Sequence, residues 1–313
     1  MTRKLLWLAA CALVSIAAFM TLGARGSWDF VLVFRGTKLI ALVLVGTSVA
    51  LSTVLFQTLT ANRILTPSIM GFDSLYVLLQ TALVFAFGGL GYASLSPEVT
   101  FVSGVVLLTG AALLLFGTLL GKGVQDLFRM LLVGVVFGVL FRSLTSLLQR
   151  LIDPNEFAVL QGSLFASFNR VDTNLLAIST PVILVCTALV WKRRHALDVM
   201  ALGREQAIGL GLNHRRELLI GLTLVSVLVA VSTALVGPIV FFGLLVSALA
   251  YEIMKTHRHG PVFAAAVLIS ICVLVGGQAV FERLIGMSAT LSVVIEFLGG
   301  LVFLFLILRK ARI

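Results

Sequence analysis

The chain has 313 residues, of which 60% are hydrophobic and only 12% charged, with a mean hydropathy of +1.14. Soluble domains run at about 45–50% apolar and about 25% charged residues, so a water-soluble fold is excluded and the bilayer is the solvent that fits. The formal net charge of +10 comes from basic residues scattered between apolar runs, which reads as membrane orientation and not as a nucleic-acid surface.

Crossing about 30 Å of hydrocarbon takes about 20 apolar residues in a helix. Ten segments meet this, at approximately 5–24, 38–57, 73–92, 99–120, 130–148, 175–191, 218–236, 238–254, 261–281 and 291–308. Met1-Thr-Arg-Lys and the run to Leu22 have the outline of a signal peptide. Roughly 18 apolar residues exceed the usual 7–15 of such a signal, so an uncleaved first span is expected. In the eighth segment Gly237-Pro238 suggests a break, after which 238–246 forms either a short half-membrane helix or the start of a full span. The longest polar stretches are 149–174 and 192–217, with no linker between them and no soluble domain. The expected fold is all-α, one polytopic transmembrane domain over 1–313.

An even number of spans leaves both ends on one side. The ends are basic (Arg3, Lys4; Arg309, Lys310, Arg312), which the positive-inside rule assigns to the cytoplasm. Sixteen of the 23 Lys and Arg then fall in cytoplasmic segments, six in outer ones, and Arg142 within a span.

No catalytic apparatus is legible. The nearest approach to a phosphate-binding loop, Gly117-Thr-Leu-Leu-Gly121-Lys122-Gly123, is one residue short and lacks the Ser or Thr that would hold Mg²⁺. The four histidines (His195, His214, His257, His259) fall in expected cytoplasmic loops, where His257-Arg-His259 reads as a basic membrane-flanking tract rather than a metal site. Cys11, Cys186 and Cys272 lie apart in apolar runs, without the spacing of a disulfide framework or a metal or redox pair. No cofactor, metal or catalytic residue is assigned, and the chain is expected to be a non-enzyme.

Three features stand above a generic bundle. In the 192–217 loop, Leu202, Ala207, Ile208 and Leu210 form an apolar stripe on a short helix between glycines and charges. Such a helix suits a partner's groove or, equally, the lipid surface. On the fifth span, Gly134, Gly138, Arg142, Thr145, Ser146 and Gln149 recur at about four residues per step, on one face. Small residues permit close helix approach, and an arginine there is costly unless it faces water or a partner. Arg142 either pairs structurally with Glu296 of the tenth span or lines a pathway and attracts an anion. Lastly, Arg35, Lys38 and Arg283 form a basic set at the outer side, which simple snorkelling at span ends also explains.

Several motifs together resemble the permeases of the iron-siderophore and vitamin B12 (FecCD-type) ABC importer family, from about Arg35 to Leu308. Arg35-Gly-Thr-Lys38 stands where that family has R-[LI]-P-R, and Gln57 to Gly71, with Asn62, Arg63 and Pro67, parallels Q-x-x-x-x-N-P-L-A-D-P-x-x-L-G. Leu202-Gly203 through Gly211 looks like L-G-x-x-x-A-x-x-L-G, and Gly237-Pro238-Ile-Val-Phe-Phe-Gly243-Leu244 mirrors G-P-I-x-F-x-G-L. The family's following V-x-P-H is Val246-Ser247-Ala248 here, and its E-L-P-x-G has become Thr290-Leu-Ser-Val-Val294. These departures resemble the branch that imports iron complexes of small siderophores, often catecholates.

The resemblance implies a type II ABC importer fold and a set of partners: an ATPase dimer, a second homologous permease or a second copy of this chain, and a soluble siderophore-binding protein outside the membrane. It implies Leu202, Gly203, Glu205, Ala207, Leu210 and Gly211 as the ATPase-coupling segment. It implies Arg35, Lys38 and Arg283 as docking positions for acidic residues of the binding protein. The Gly134, Gly138, Arg142 and Gln149 stripe would then lie along the translocation pathway. The competing readings are an ion-coupled secondary transporter of a small anionic solute and a scaffold membrane protein. The first is thinly supplied, since Glu296 and Arg142 are the clear intramembrane charges.

Overall fold

A computed structural model describes residues 2–23, 27–121, 127–164, 167–169, 171–282, 294–297 and 299–301. Within them the chain is helical, without strands. The helices are α1 (Thr2–Thr21), α2 (Trp28–Leu59), α3 (Phe72–Ser94), α4 (Pro97–Gly121), α5 (Leu127–Leu151), α6 (Pro154–Leu164), α7 (Thr173–Lys192), α8 (Arg194–Met200), α9 (Arg204–Gly209), α10 (His214–Val236), α11 (Phe242–Met254) and α12 (His259–Val280). A single 3-10 turn, Pro67–Met70, forms an elbow between α2 and α3.

Eight of these helices are long and apolar enough to span a bilayer. With α11 and the helical pieces at 294–297 and 299–301, this agrees with about ten membrane-embedded helices. α2, α10 and α12 form the centre, each packed against several neighbours, while α1 lies outside against α12 and exposes Leu6, Trp7, Leu13 and Val14. Large apolar side chains facing outward on the peripheral helices are what a lipid solvent requires. The close approach of α2 to α12 depends on Gly46, where an added Cβ would lie 3.0 Å from Ser270 Oγ.

Four elements differ from expectation. α2 starts ten residues before 38, because its two basic residues are absorbed within the protein, as described below. The break at Gly237-Pro238 precedes a short helix as expected, but that helix runs over Phe242–Met254 and not over 238–246. Residues 237–241 are non-helical, and α11 has 13 residues, about 20 Å at 1.5 Å per residue, less than a full crossing. α6 occupies part of the polar stretch 149–174. His259 is not in a loop; it begins α12 and is 3% exposed.

Candidate functional site

α2 and α12 run antiparallel, with Thr58 beside His259 at one end and Lys38 beside Glu282 at the other. The candidate site residues divide among these two ends and the α5 face between them.

At the first end the segment Lys192–Glu217 folds into two short helices. Gly203 (φ +101°) and Gly211 (φ +83°) bound α9 in left-handed backbone that a side chain would strain, so the helix can be no longer than it is. Ala207 is fully buried against the chain itself, whereas Leu202, Ile208 and Leu210 are 58%, 51% and 66% exposed and Glu205 is also exposed. The expected apolar stripe is therefore split: Ala207 seats α9, and the three larger side chains project away from it. Two clamps tie this module to the bundle. Arg193 Nη1 donates to both Glu217 carboxylate oxygens, at 2.6 and 2.5 Å, joining the end of α7 to the start of α10. Asp198 Oδ1 accepts from the His259 main-chain N–H and from its Nδ1, both at 2.7 Å, joining α8 to α12. His259 Nε2 lies 2.7 Å from Thr58 Oγ1, which extends the chain to α2.

At the far end Arg35 is consumed as a cap. Its guanidinium donates to the carbonyls of Phe19, Met20, Leu22 and Gly23 at 2.8–3.1 Å, closing the C-terminus of α1, where free carbonyls favour a cation. Lys38 is 7% exposed and donates to Glu282 Oε1 at 2.6 Å. Gln278 Nε2 donates to the same oxygen at 2.8 Å and to Asn169 Oδ1 at 3.3 Å. Burial pushes the Glu282 carboxyl up, but the bonds from Gln278 and Lys38 and the charges of Lys38 and Arg35 reverse this, leaving it below the ordinary glutamate value. Lys38, expected at the exterior, has its ammonium buried and facing Glu282 within the chain. Arg283 lies outside the described residues.

The α5 stripe also divides. Gly134 and Gly138 are buried against the elbow: a Cβ on Gly134 would lie 2.6 Å from Met70 Cε, and one on Gly71 would lie 2.9 Å from Gly138 Cα. Their smallness lets α5 approach the elbow this closely. Thr145 is buried on the same side, with Gln149 half-buried, whereas Arg142 is exposed on an adjoining face with Ser143, Ser146 and Arg150. These four line an open hollow with Val139 and Leu147. A step of about four residues drifts some 40° per turn of counting, which is why one stripe became two faces. Glu296 is not the partner of Arg142; it interacts with the Val240 N–H and with Asp73.

A compact two-helix module at one end of such a bundle, bounded by glycines, accords with the motif reading, and comparison with known proteins decides the family. Residues 6–309 match the FecCD transport family. The chain belongs to that family. It is 45% identical over 309 residues to the petrobactin import system permease protein YclO of Bacillus subtilis (strain 168), covering 99% of this chain and 98% of that protein. It is 27% identical over 305 residues to the ferric enterobactin transport system permease protein FepD of Escherichia coli (strain K12), covering 96% and 88% respectively. Its fold matches that of a metal-chelate type ABC transporter in an inward-facing conformation, with a TM-score of 0.84 at 22% identity over 98% of each chain.

Within this FecCD permease, several working residues escaped the sequence reading. Asp198 and His259 are 61 positions apart and meet only because α8 folds back on α12. Gln57 was visible as a motif letter, but its task was not. It is 2% exposed and donates to the Arg63 carbonyl at 2.7 Å and to Ser247 Oγ at 3.0 Å, fixing the loop after α2 against α11. Asp73 is 8% exposed in the first turn of α3, where the sequence placed only the edge of an apolar span.

Proposed function

We propose that this chain is a membrane-spanning subunit of an ATP-driven importer that carries a ferric siderophore, of the catecholate class, into the cytoplasm. The observation that carries this reading is the 192–217 module. Ile208 stands out from a short helix whose backbone is stopped at both ends, Leu202 and Leu210 flank it exposed, and the surrounding segment is clamped to α10 and α12. A helix lying on lipid needs no such clamps; a helix that must transmit a push does. An ATPase dimer then binds the exposed face of α9, and closure of that dimer is passed through Asp198–His259 and Arg193–Glu217 to the spans. This end and both termini are cytoplasmic in the proposal, in keeping with the distribution of Lys and Arg.

The exposed α5 face supports a second permease across it. Two arginines and two serines pointing into hydrocarbon would be costly, so a homologous subunit or second copy covers them and encloses a pathway. Arg142 and Arg150 would lower the barrier for an anionic ferric chelate passing along that wall. Arg35 keeps its charge at the opposite end, where a soluble binding protein would deliver the cargo, with opposite charges setting orientation more than affinity.

The test is uptake of radiolabelled ferric siderophore into proteoliposomes containing the chain with its ATPase, its partner permease and its binding protein. Uptake should need ATP inside the vesicle compartment that holds the ATPase and should persist when proton and sodium gradients are collapsed. Uptake driven by an ion gradient without ATP would establish the secondary-transporter reading in its place.

A further inference from the structure

Two interruptions of helical structure meet inside the bundle. One is the Pro67–Met70 elbow that leads into α3, and the other is the non-helical stretch 237–241 between α10 and α11, entered through Gly237 at φ +98°. Between them and α2 lies a cavity of about 20 Å³, close to the space that one water molecule or one bare ion fills. Its polar lining comes from Ser52 and Thr53 of α2, Ser68 of the elbow, Asp73 of α3, and Ser232 and Thr233 of α10.

The oxygen chemistry of this cavity is one-sided. Asp73 Oδ2 is buried and has no hydrogen-bond partner, although Ser68 bonds the carboxylate. Ser52 Oγ donates to the Val49 carbonyl at 3.1 Å, and Ser232 Oγ donates to the Leu228 and Val229 carbonyls at 2.9 and 3.1 Å. Their single protons are spent along their own helices, so what they offer the cavity is lone pairs. The charge is one-sided too. Among the described residues no lysine or arginine pairs with Asp73, and the charged group that acts on it is Glu296, a second acid, which takes the Val240 N–H of the other interruption.

A trapped water would answer the hydrogen bonds but would give an ionised Asp73 no counter-charge. An anion would be placed against the Asp73 carboxylate, and like charge disfavours it. A divalent ion would over-compensate a single carboxylate among neutral hydroxyls. Hard oxygen ligands at the meeting point of broken helices suit a small hard cation, the arrangement by which discontinuous membrane helices hold Na⁺.

We propose that Asp73, with the hydroxyl oxygens of Ser52, Ser232 and Thr233, forms a buried site for one dehydrated monovalent metal ion, which pins the elbow to the 237–241 break. The ion is a fixed structural part of the centre of the bundle, and its binding does not depend on what drives transport.

The assembled transporter in nanodiscs tests this, without cargo or ATP, by its thermal unfolding midpoint as NaCl or KCl replaces choline chloride at constant ionic strength. A ligand that binds the native state alone raises the midpoint with concentration. The wild type should show such a rise with a metal chloride and not with choline, and Asp73→Asn should lose it. Should Asp73→Asn fail to assemble, Ser232→Ala keeps the charge and removes one ligand, and its half-maximal salt concentration should rise at least threefold. A midpoint indifferent to the identity of the cation overturns the proposal in favour of a water-filled cavity. A metal-ion response that survives unchanged in both variants overturns it as well, by placing the ion elsewhere.

Discussion

Replacing Asp198 with Ala asks whether α8 and α9 drive the spans or merely lie beside them. Asp198 Oδ1 accepts two hydrogen bonds of 2.7 Å from His259, whose 3% exposure leaves neither donor a route to water. Hydrogen bonds to a charged partner are worth about 1.5–3 kcal/mol each. Here they share one oxygen of a side chain that remains 29% exposed, so the low end applies, roughly 3 kcal/mol for the pair. The third contact of this carboxylate, His195 Nδ1 at 3.9 Å with His195 78% exposed, adds little. Asp198→Asn keeps an oxygen that accepts the main-chain N–H and should recover about 1 kcal/mol of the loss, the worth of one neutral bond. The stability part is read as the thermal midpoint of the assembled complex in detergent. The coupling part is read as siderophore imported per ATP hydrolysed in proteoliposomes. The Ala variant should keep hydrolysing ATP while import per ATP falls at least tenfold, with the Asn variant between. An Ala variant whose midpoint drops but whose import per ATP matches wild type would refute transmission through this clamp and leave Asp198 a purely structural residue.

The exposed side chains of α9 give a complementary test: Ile208→Arg and Leu210→Arg should abolish co-purification of the ATPase while the permease still inserts, whereas Ala207→Arg, at a fully buried position, should also destabilise the module itself in limited proteolysis. Arg142→Gln should leave insertion and basal ATP hydrolysis intact, because the residue is exposed on this subunit, and should lower uptake of anionic ferric chelates more than neutral ones; equal uptake of both removes the pathway role. At the far end, Glu282 is held below its ordinary value, so its contribution to stability is full above the unfolded glutamate range of about 4.3 and is lost as pH falls through the lower folded value. Accordingly Glu282→Gln should lower the midpoint at pH 7, and the gap to wild type should close on acidification below about pH 4, as followed by a pH series of thermal melts. A gap that widens in acid would contradict the Lys38–Glu282 clasp. Gly138→Leu should overpack the α5–elbow contact, costing about 1–3 kcal/mol or more and lowering the yield of folded permease, as read by size-exclusion profile.

The sequence alone settled what the bilayer enforces. A surplus of apolar residues in blocks of about 20 leaves no option but spanning helices, because every backbone group in hydrocarbon must bond within its own segment. The location of α9 was legible for the same local reason: Gly203 and Gly211 punctuate a short polar segment, and left-handed backbone is a property of the residue itself. What lay beyond reach was the partner of each polar group, because partnership is set by which helices adjoin, and a uniformly apolar span announces no preferred face. Lys38 looked like an outward-facing cation until α12 brought Glu282 to it from 244 residues away. The glycines of α5 and Arg142 looked like one stripe until the elbow claimed Gly134 and Gly138 and left the arginine on the next face. Asp73 looked like the rim of a span, and only the meeting of two broken helices made it a buried carboxylate with an oxygen facing a cavity.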